Sequence, residues 1–325
     1  MNKRINYIDT LKGICVMWIV WYHTTHPNFV NYPFFNITLF FVSGILYKPY
    51  KWNVFWRKKV NQLIMPFCFF YILYYLFLLA INYIKYHSIN NIVHTITDIF
   101  KLYTGNEAFT VNYPLWFICA ILCMQLIMYA IEKIIKTKIP ILLIALIISF
   151  IGYFYIQWIP TLFMFGRSLP YFIYFTIGYL AKNFILCEDK LTINRNRIIL
   201  ISIFSLILSL LIQFKITHQI ILFISDTIEF TAISILLVYF SQAIQHTYFS
   251  HIFTYFGIYS LIVLGLHDMY LTIFLILIQN TFGEMNILYG ICNLTLTCIL
   301  LYPSIYFLNK HLPYLVAKKD FLKIS

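Results

Sequence analysis

Charge is what this chain has least of. Only 10% of its 325 residues are charged, 11 acidic against 23 basic. A soluble domain needs more polar surface than that, and the 62% hydrophobic share with a mean hydropathy of +0.81 fits a lipid-embedded chain instead. Glycine and proline are scarce, at 10 each. No Gly/Ser/Pro-rich stretch separates the apolar runs, so residues 1–325 read as a single integral membrane domain. The first apolar run lacks a small-residue cleavage site and is expected to be a retained helix, not a signal peptide. There is no internal repeat, no low-complexity tract and no matched pair of broken helices of the kind that marks inverted-repeat transporters.

Several chemistries are missing as well. No metal-ligand spacing, phosphate-cradling glycine loop or nucleophile elbow occurs, so no metal and no bound cofactor are expected. The seven cysteines lie mostly inside apolar runs, and Cys119 and Cys123 are four apart on an expected helix. They read as small core residues, neither a disulfide framework nor a metal site. The net charge of +12 comes without an aromatic-basic binding module, which argues for topogenic charge and against nucleic acid.

What is present is a succession of apolar runs long enough to cross about 30 Å of hydrocarbon. Ten are expected, near 6–24, 32–48, 62–83, 114–132, 139–157, 169–186, 197–214, 219–240, 254–279 and 286–308, giving an all-α polytopic bundle. With the N-terminus inside, 19 of the 23 basic residues fall in cytoplasmic pieces and Lys85, Lys101, Arg167 and Lys215 fall outside. By the positive-inside rule this predicts both termini in the cytoplasm and a multi-pass protein of the cell membrane. The longest connecting piece, 84–113, then faces outward and is expected to hold a short amphipathic helix and a turn at Gly105-Asn106.

Inside these runs a few ionisable groups stand out. Lys12 and His23 are eleven residues apart, which returns to the same helix face through Val16 and Ile19 over a rise of about 16 Å. Intramembrane ionisable groups are costly and mark functional sites by default, although a snorkelling lysine and an end-capping histidine fit the same spacing. Arg57, Lys58 and Lys59 lie beside Trp52, Phe55 and Trp56 in the inner segment joining the second and third runs. That segment is either a positive-inside anchor with its aromatic belt or a dock for an anionic cytosolic ligand. Asp226 and Glu229, three apart, share a face of the eighth run and should line a wet cavity, pair with a cation or stay protonated. His267 lies at a depth similar to that of His23, so both imidazoles could open onto one cavity or serve helix packing.

These stretches together resemble the acyltransferase-3 family of multi-pass membrane O-acyltransferases, and within it the fucose 4-O-acetylase-like and polysaccharide O-acetyltransferase branch. The opening YIDTLKGICVMWIVWYH is similar to the family's first-helix pattern of a basic residue, ten residues and a histidine, through Lys12 and His23. LFFVSGILY resembles its Phe-Phe-x-x-Ser-Gly stretch through Phe40, Phe41, Ser43 and Gly44. WRKKVNQLIMP resembles its basic run before a proline, through Arg57, Lys58, Lys59 and Pro66. PLWFICAIL resembles its Leu-Trp-Phe helix entry through Leu115, Trp116 and Phe117. Gly178 carries the likeness to a later Phe/Gly helix, and Gly257, Ser260 and His267 carry that to a Gly-x-x-Ser-Leu…His helix. The chain departs from the pattern at Lys12, often arginine; at Gln62, often a second arginine; and at Asn36 and Thr38, often His and Pro.

The resemblance implies transfer of an acetyl group from cytosolic acetyl-CoA, as co-substrate, to a hydroxyl of a cell-surface glycan or lipid-linked sugar outside, with membrane lipids as surroundings. A sugar hydroxyl is a poor nucleophile and needs a general base, for which histidine suits neutral pH. On this reading His23 is the base and Lys12 a cationic partner toward the donor. Arg57, Lys58 and Lys59 meet the CoA phosphates, and Trp116 and Arg167 are wall or acceptor contacts, with Asp226, Glu229 and His267 as further cavity residues. A flippase for lipid-linked sugars, or a scaffold whose polar residues lock helices together, would use the same residues without bond chemistry.

Overall fold

The computed structural model describes residues 5–24, 34–87, 97, 99–104, 109, 111–282 and 287–323. Among these residues the chain is helical, and its extended pairing is an isolated antiparallel bridge between Tyr103 and Thr161. The longer helices are α1 (Asn6–Thr24), α2 (Phe34–Leu46), α3 (Trp52–Lys59), α4 (Met65–Tyr86), α5 (Trp116–Ile134) and α6 (Lys138–Phe154). They continue with α7 (Phe172–Ile185), α8 (Arg195–Lys215), α9 (Gln219–Ile244), α10 (Tyr248–Ile258), α11 (Ser260–Phe282) and α12 (Ile287–His311). Most of the expected outer helix in 84–113, with its turn at Gly105-Asn106, lies outside the described residues.

Among the described residues six helical stretches are long and apolar enough to cross a membrane: Trp52–Lys85, Tyr113–Ile134, Arg195–Lys215, Gln219–Ile244, Ser260–Leu277 and Ile287–His311. The other expected runs also contain helices, of a different character. α2, with 13 residues, rises only about 20 Å, and α1 gives up hydropathy to Asp9 and Lys12 near its start. The ninth expected run is broken. Its first residues belong to α10, the chain leaves helical geometry at Tyr259 (φ −109, ψ 23), and α11 starts at Ser260.

α1 is the axis of the bundle. It packs against α2, α9, α10, α11 and α12, and Leu11, Cys15, Val16 and Val20 are fully buried along it. Its crossing with α10 is a backbone-to-backbone contact that only glycine permits. A Cβ on Gly13 would lie 1.7 Å from the Phe253 carbonyl oxygen, and one on Gly257 would lie 1.8 Å from that of Asp9. Thr10 and Thr254 share a 2.8 Å hydrogen bond at the same crossing. α2 and α7 meet in the same way, Gly44 against the Phe175 carbonyl and Gly178 against that of Phe41.

α3 runs into α4 through a π-helical turn, Val60–Ile64. Pro66, in the first turn of α4, has no N–H for the carbonyl four residues back, and the wider turn before it absorbs the ring's bulk.

Candidate active site

The last turn of α1 brings Tyr22 and His23 to the rim of a cavity of about 160 Å³. Ile19 lies one turn below, Phe35 and Asn36 come from the start of α2, and Leu264 comes from α11. The turn Tyr113–Leu115 and the first residues of α5 add Tyr113, Pro114, Trp116 and Phe117, while Arg167 and Tyr171 close the remaining side. Phe40, buried behind them, stacks on Phe117 at 4.5 Å and on Tyr171 at 5.3 Å between ring centres, which makes the wall rigid.

His23 is half-buried. Its ring centre is 5.4 Å from those of Tyr22 and His267 and 6.2 Å from that of Tyr113. His267 is fully buried, with Nδ1 2.9 Å from the Val263 carbonyl oxygen. A carbonyl only accepts, so Nδ1 carries the proton and Nε2 the lone pair. Among the described residues Nε2 has no hydrogen-bond partner, the arrangement of an imidazole able to accept from a ligand or from water.

Arg167 faces this pair across the cavity mouth. Its guanidinium sits 4.0 Å over the Trp116 ring, and its Nη2 donates to the Tyr113 hydroxyl at 3.1 Å. Stacking and hydrogen bond together hold a cation in a defined place, next to an aromatic face and a phenol. The arrangement can do three things: take a proton from a hydroxyl, hold a polar ring against an aromatic wall, and offset developing negative charge.

Lys12 does not reach this cavity. It pairs with Asp9, Nζ to Oδ1 2.7 Å, one turn earlier on α1, while Val16 and Ile19, on the face it shares with His23, are buried.

The three cations after Trp56 have different neighbours. Arg57 is exposed and donates from Nη1 to the Lys323 carbonyl at 2.9 Å. Lys58 lies 3.7 Å over the Tyr50 ring, and Lys59 is buried with its ammonium 5.0 Å from the Phe55 ring centre. Asp226 and Glu229 are not in the cavity wall. They lie on α9 where it packs on α8, and the side-chain nitrogen of Gln213 donates to both, to Asp226 at 3.0 Å.

Two residues at the site, and Asp9 beside Lys12, carried no special weight in the sequence. Tyr113 and Tyr171 are two among 27 tyrosines, and only folding places them against Arg167 and Trp116. Asp9 was findable: an acid three residues before a base in an apolar helix is a pair signal.

Residues 5–308 match the pattern of a family described as an acyltransferase domain. No curated protein and no solved structure matches the chain.

Proposed function

The chain belongs to the acyltransferase-3 family, and from that premise we propose that it moves an acetyl group from cytosolic acetyl-CoA to a hydroxyl of an extracytoplasmic sugar. The reading places it in the fucose 4-O-acetylase-like and polysaccharide O-acetyltransferase branch, in the cytoplasmic membrane. The charge distribution supports ten crossings with both termini inside. In that orientation the His23 cavity opens outward and α3 faces the cytosol.

The observation that carries the proposal is the cavity itself: a half-buried imidazole beside a second, buried one, across from an arginine fixed on a tryptophan. His23 takes the proton of the acceptor hydroxyl as its oxygen bonds to the acetyl carbonyl carbon. The C–S bond then breaks and the departing thiolate takes up a proton, so the products are the sugar ester and free CoA thiol. Trp116 presents an aromatic face to the sugar ring, and Arg167 supplies donors to its oxygens. Arg57 and Lys58 meet the donor's phosphates, with Lys59 buried behind them as long-range positive charge. Lys12, paired with Asp9, acts toward the donor side. Asp226 and Glu229, away from the cavity wall, take no part in the reading.

The test is purified protein in lipid nanodiscs with acetyl-CoA and a panel of surface glycans. Release of CoA thiol matched by an acetyl mass gain on a glycan is expected. Movement of a sugar lipid across vesicles without acetyl-CoA consumption would overturn the proposal in favour of a flippase.

A further inference from the structure

The segment after α12 returns to the α3–α4 junction. Leu312 continues from the helix end, a run of turns follows Pro313, and residues 320–323 lie along the basic side of α3 and its π-helical turn. The contact converges on one side chain. Asn61, in the second position of that turn and 1% exposed, donates from Nδ2 to Asp320 Oδ1 at 3.2 Å and to the Leu322 carbonyl at 2.9 Å. Its Oδ1 accepts the Leu322 N–H at 2.8 Å. One turn earlier Arg57 donates to the Lys323 carbonyl.

An amide that gives both its donor and acceptor capacity to a segment about 260 residues away in sequence is a clamp, not a surface contact. Helices widened to π geometry gather at functional positions, and here Asn61 is the buried residue of the widened turn. α3, 8 residues long, joins α4 through the widened turn and carries Arg57 and Lys58 at its end, so a tie on that turn bears on where the two cations point.

We infer that Asn61 is a positioning residue for the acyl donor: by clamping the 320–323 strap onto the π-helical turn, it fixes α3 so that Arg57 and Lys58 are set for the CoA phosphates. The inference rests on the acetyl-CoA reading above. The strap orders the cation-bearing turn before the donor arrives, so the entropy of ordering it is not charged against binding.

The experiment reads two quantities on full-length protein in nanodiscs. Hydrogen exchange at 318–323 reports the strap, and KM for acetyl-CoA against kcat reports the donor site. Asn61→Ala is expected to abolish protection of the Leu322 amide and raise KM about tenfold, with kcat changed less than about twofold. Asn61→Asp, facing Asp320, should do the same. Asn61→Asp combined with Asp320→Asn restores a donor–acceptor pair in reverse and should recover most of the wild-type KM, which a merely structural lesion would not.

Lost protection with unchanged KM overturns the inference, as does intact protection in Asn61→Ala. Wild-type protein that neither binds nor consumes acetyl-CoA overturns the acetyl-transfer reading, and this inference falls with it. Turnover by wild type beside an unmoved KM in the variant overturns the inference alone.

Discussion

The imidazoles of His23 and His267 lie 5.4 Å apart, centre to centre, although 244 residues separate them in sequence. α1 delivers one from its last turn and α11 the other from its interior, and the Val263 carbonyl locks His267 with its lone pair on Nε2. The half-buried ring meets the cavity; the buried one can only assist it, by accepting a hydrogen bond or ordering a water between them. This asymmetry separates the two histidines experimentally. His23→Ala and His23→Gln should both lower acetyl transfer by about 10²–10⁴-fold at matched protein levels, because glutamine keeps polarity but cannot take a proton. His267→Gln should cost less, since it preserves a hydrogen-bonding side chain where no proton need be taken. Near-wild-type turnover in either His23 variant removes that residue from the mechanism.

Arg167 tests the acceptor side. Arg167→Lys keeps the charge but loses both the planar stack over Trp116 and the fork geometry toward Tyr113. The acceptor KM should rise about tenfold, the scale of one desolvated cation–π contact or charge-assisted hydrogen bond. KM for acetyl-CoA should stay within twofold. An equal rise in both constants would mean that Arg167 holds the fold of the cavity and does not touch the sugar.

The α1–α10 crossing should be intolerant of a single methyl group. Gly257→Ala puts a carbon within 1.8 Å of the Asp9 carbonyl oxygen, and backbone cannot rotate away as a side chain would. The helices must separate, at a cost of about 1–3 kcal/mol, and α1 carries His23 with it. A lower Tm and a lower specific activity in the surviving folded fraction are expected together. Thr254→Val, which removes only the hydrogen bond to Thr10 at the same crossing, should be milder.

The parts of this site that the sequence made legible are those encoded within one helix. The Lys12–Val16–Ile19–His23 face follows from 3.6-residue periodicity, and the structure buries Val16 and Ile19 while bringing His23 to the cavity. Hydropathy located helices but not their limits: Gly257 and Ser260 flank the break at Tyr259, but the apolar residues around them keep the average high enough to read as one run. Contacts between distant segments were out of reach. Arg167 is 54 residues from Tyr113 in sequence, and the Asn61 clamp joins residues 261 apart. Asp226 and Glu229 share a helix face as their spacing predicts, but their meeting with Gln213 on the neighbouring helix is a contact between segments that the spacing does not give.

Lys12 is where sequence pattern and geometry point to different roles, and a double-mutant cycle separates them. Its ammonium is 2.7 Å from Asp9, with side-chain exposures of 20% and 10%, so deleting either residue removes an ion pair from a poorly hydrated place. Lys12→Met should therefore destabilise, by less than the roughly 3–5 kcal/mol that follows when a fully buried charge loses its partner. Asp9→Asn with Lys12→Met removes both charges and should recover most of that loss. Activity then decides the role. If the pair only fixes the α1–α10 crossing, the double variant regains turnover along with its Tm. If Lys12 acts toward the donor, the double variant folds like wild type yet keeps a raised KM for acetyl-CoA, because restored packing does not restore the positive charge. The second outcome is expected: an ion pair that served packing alone could be replaced by apolar side chains, whereas the eleven-residue spacing to His23 keeps a cation on the helix that carries the base.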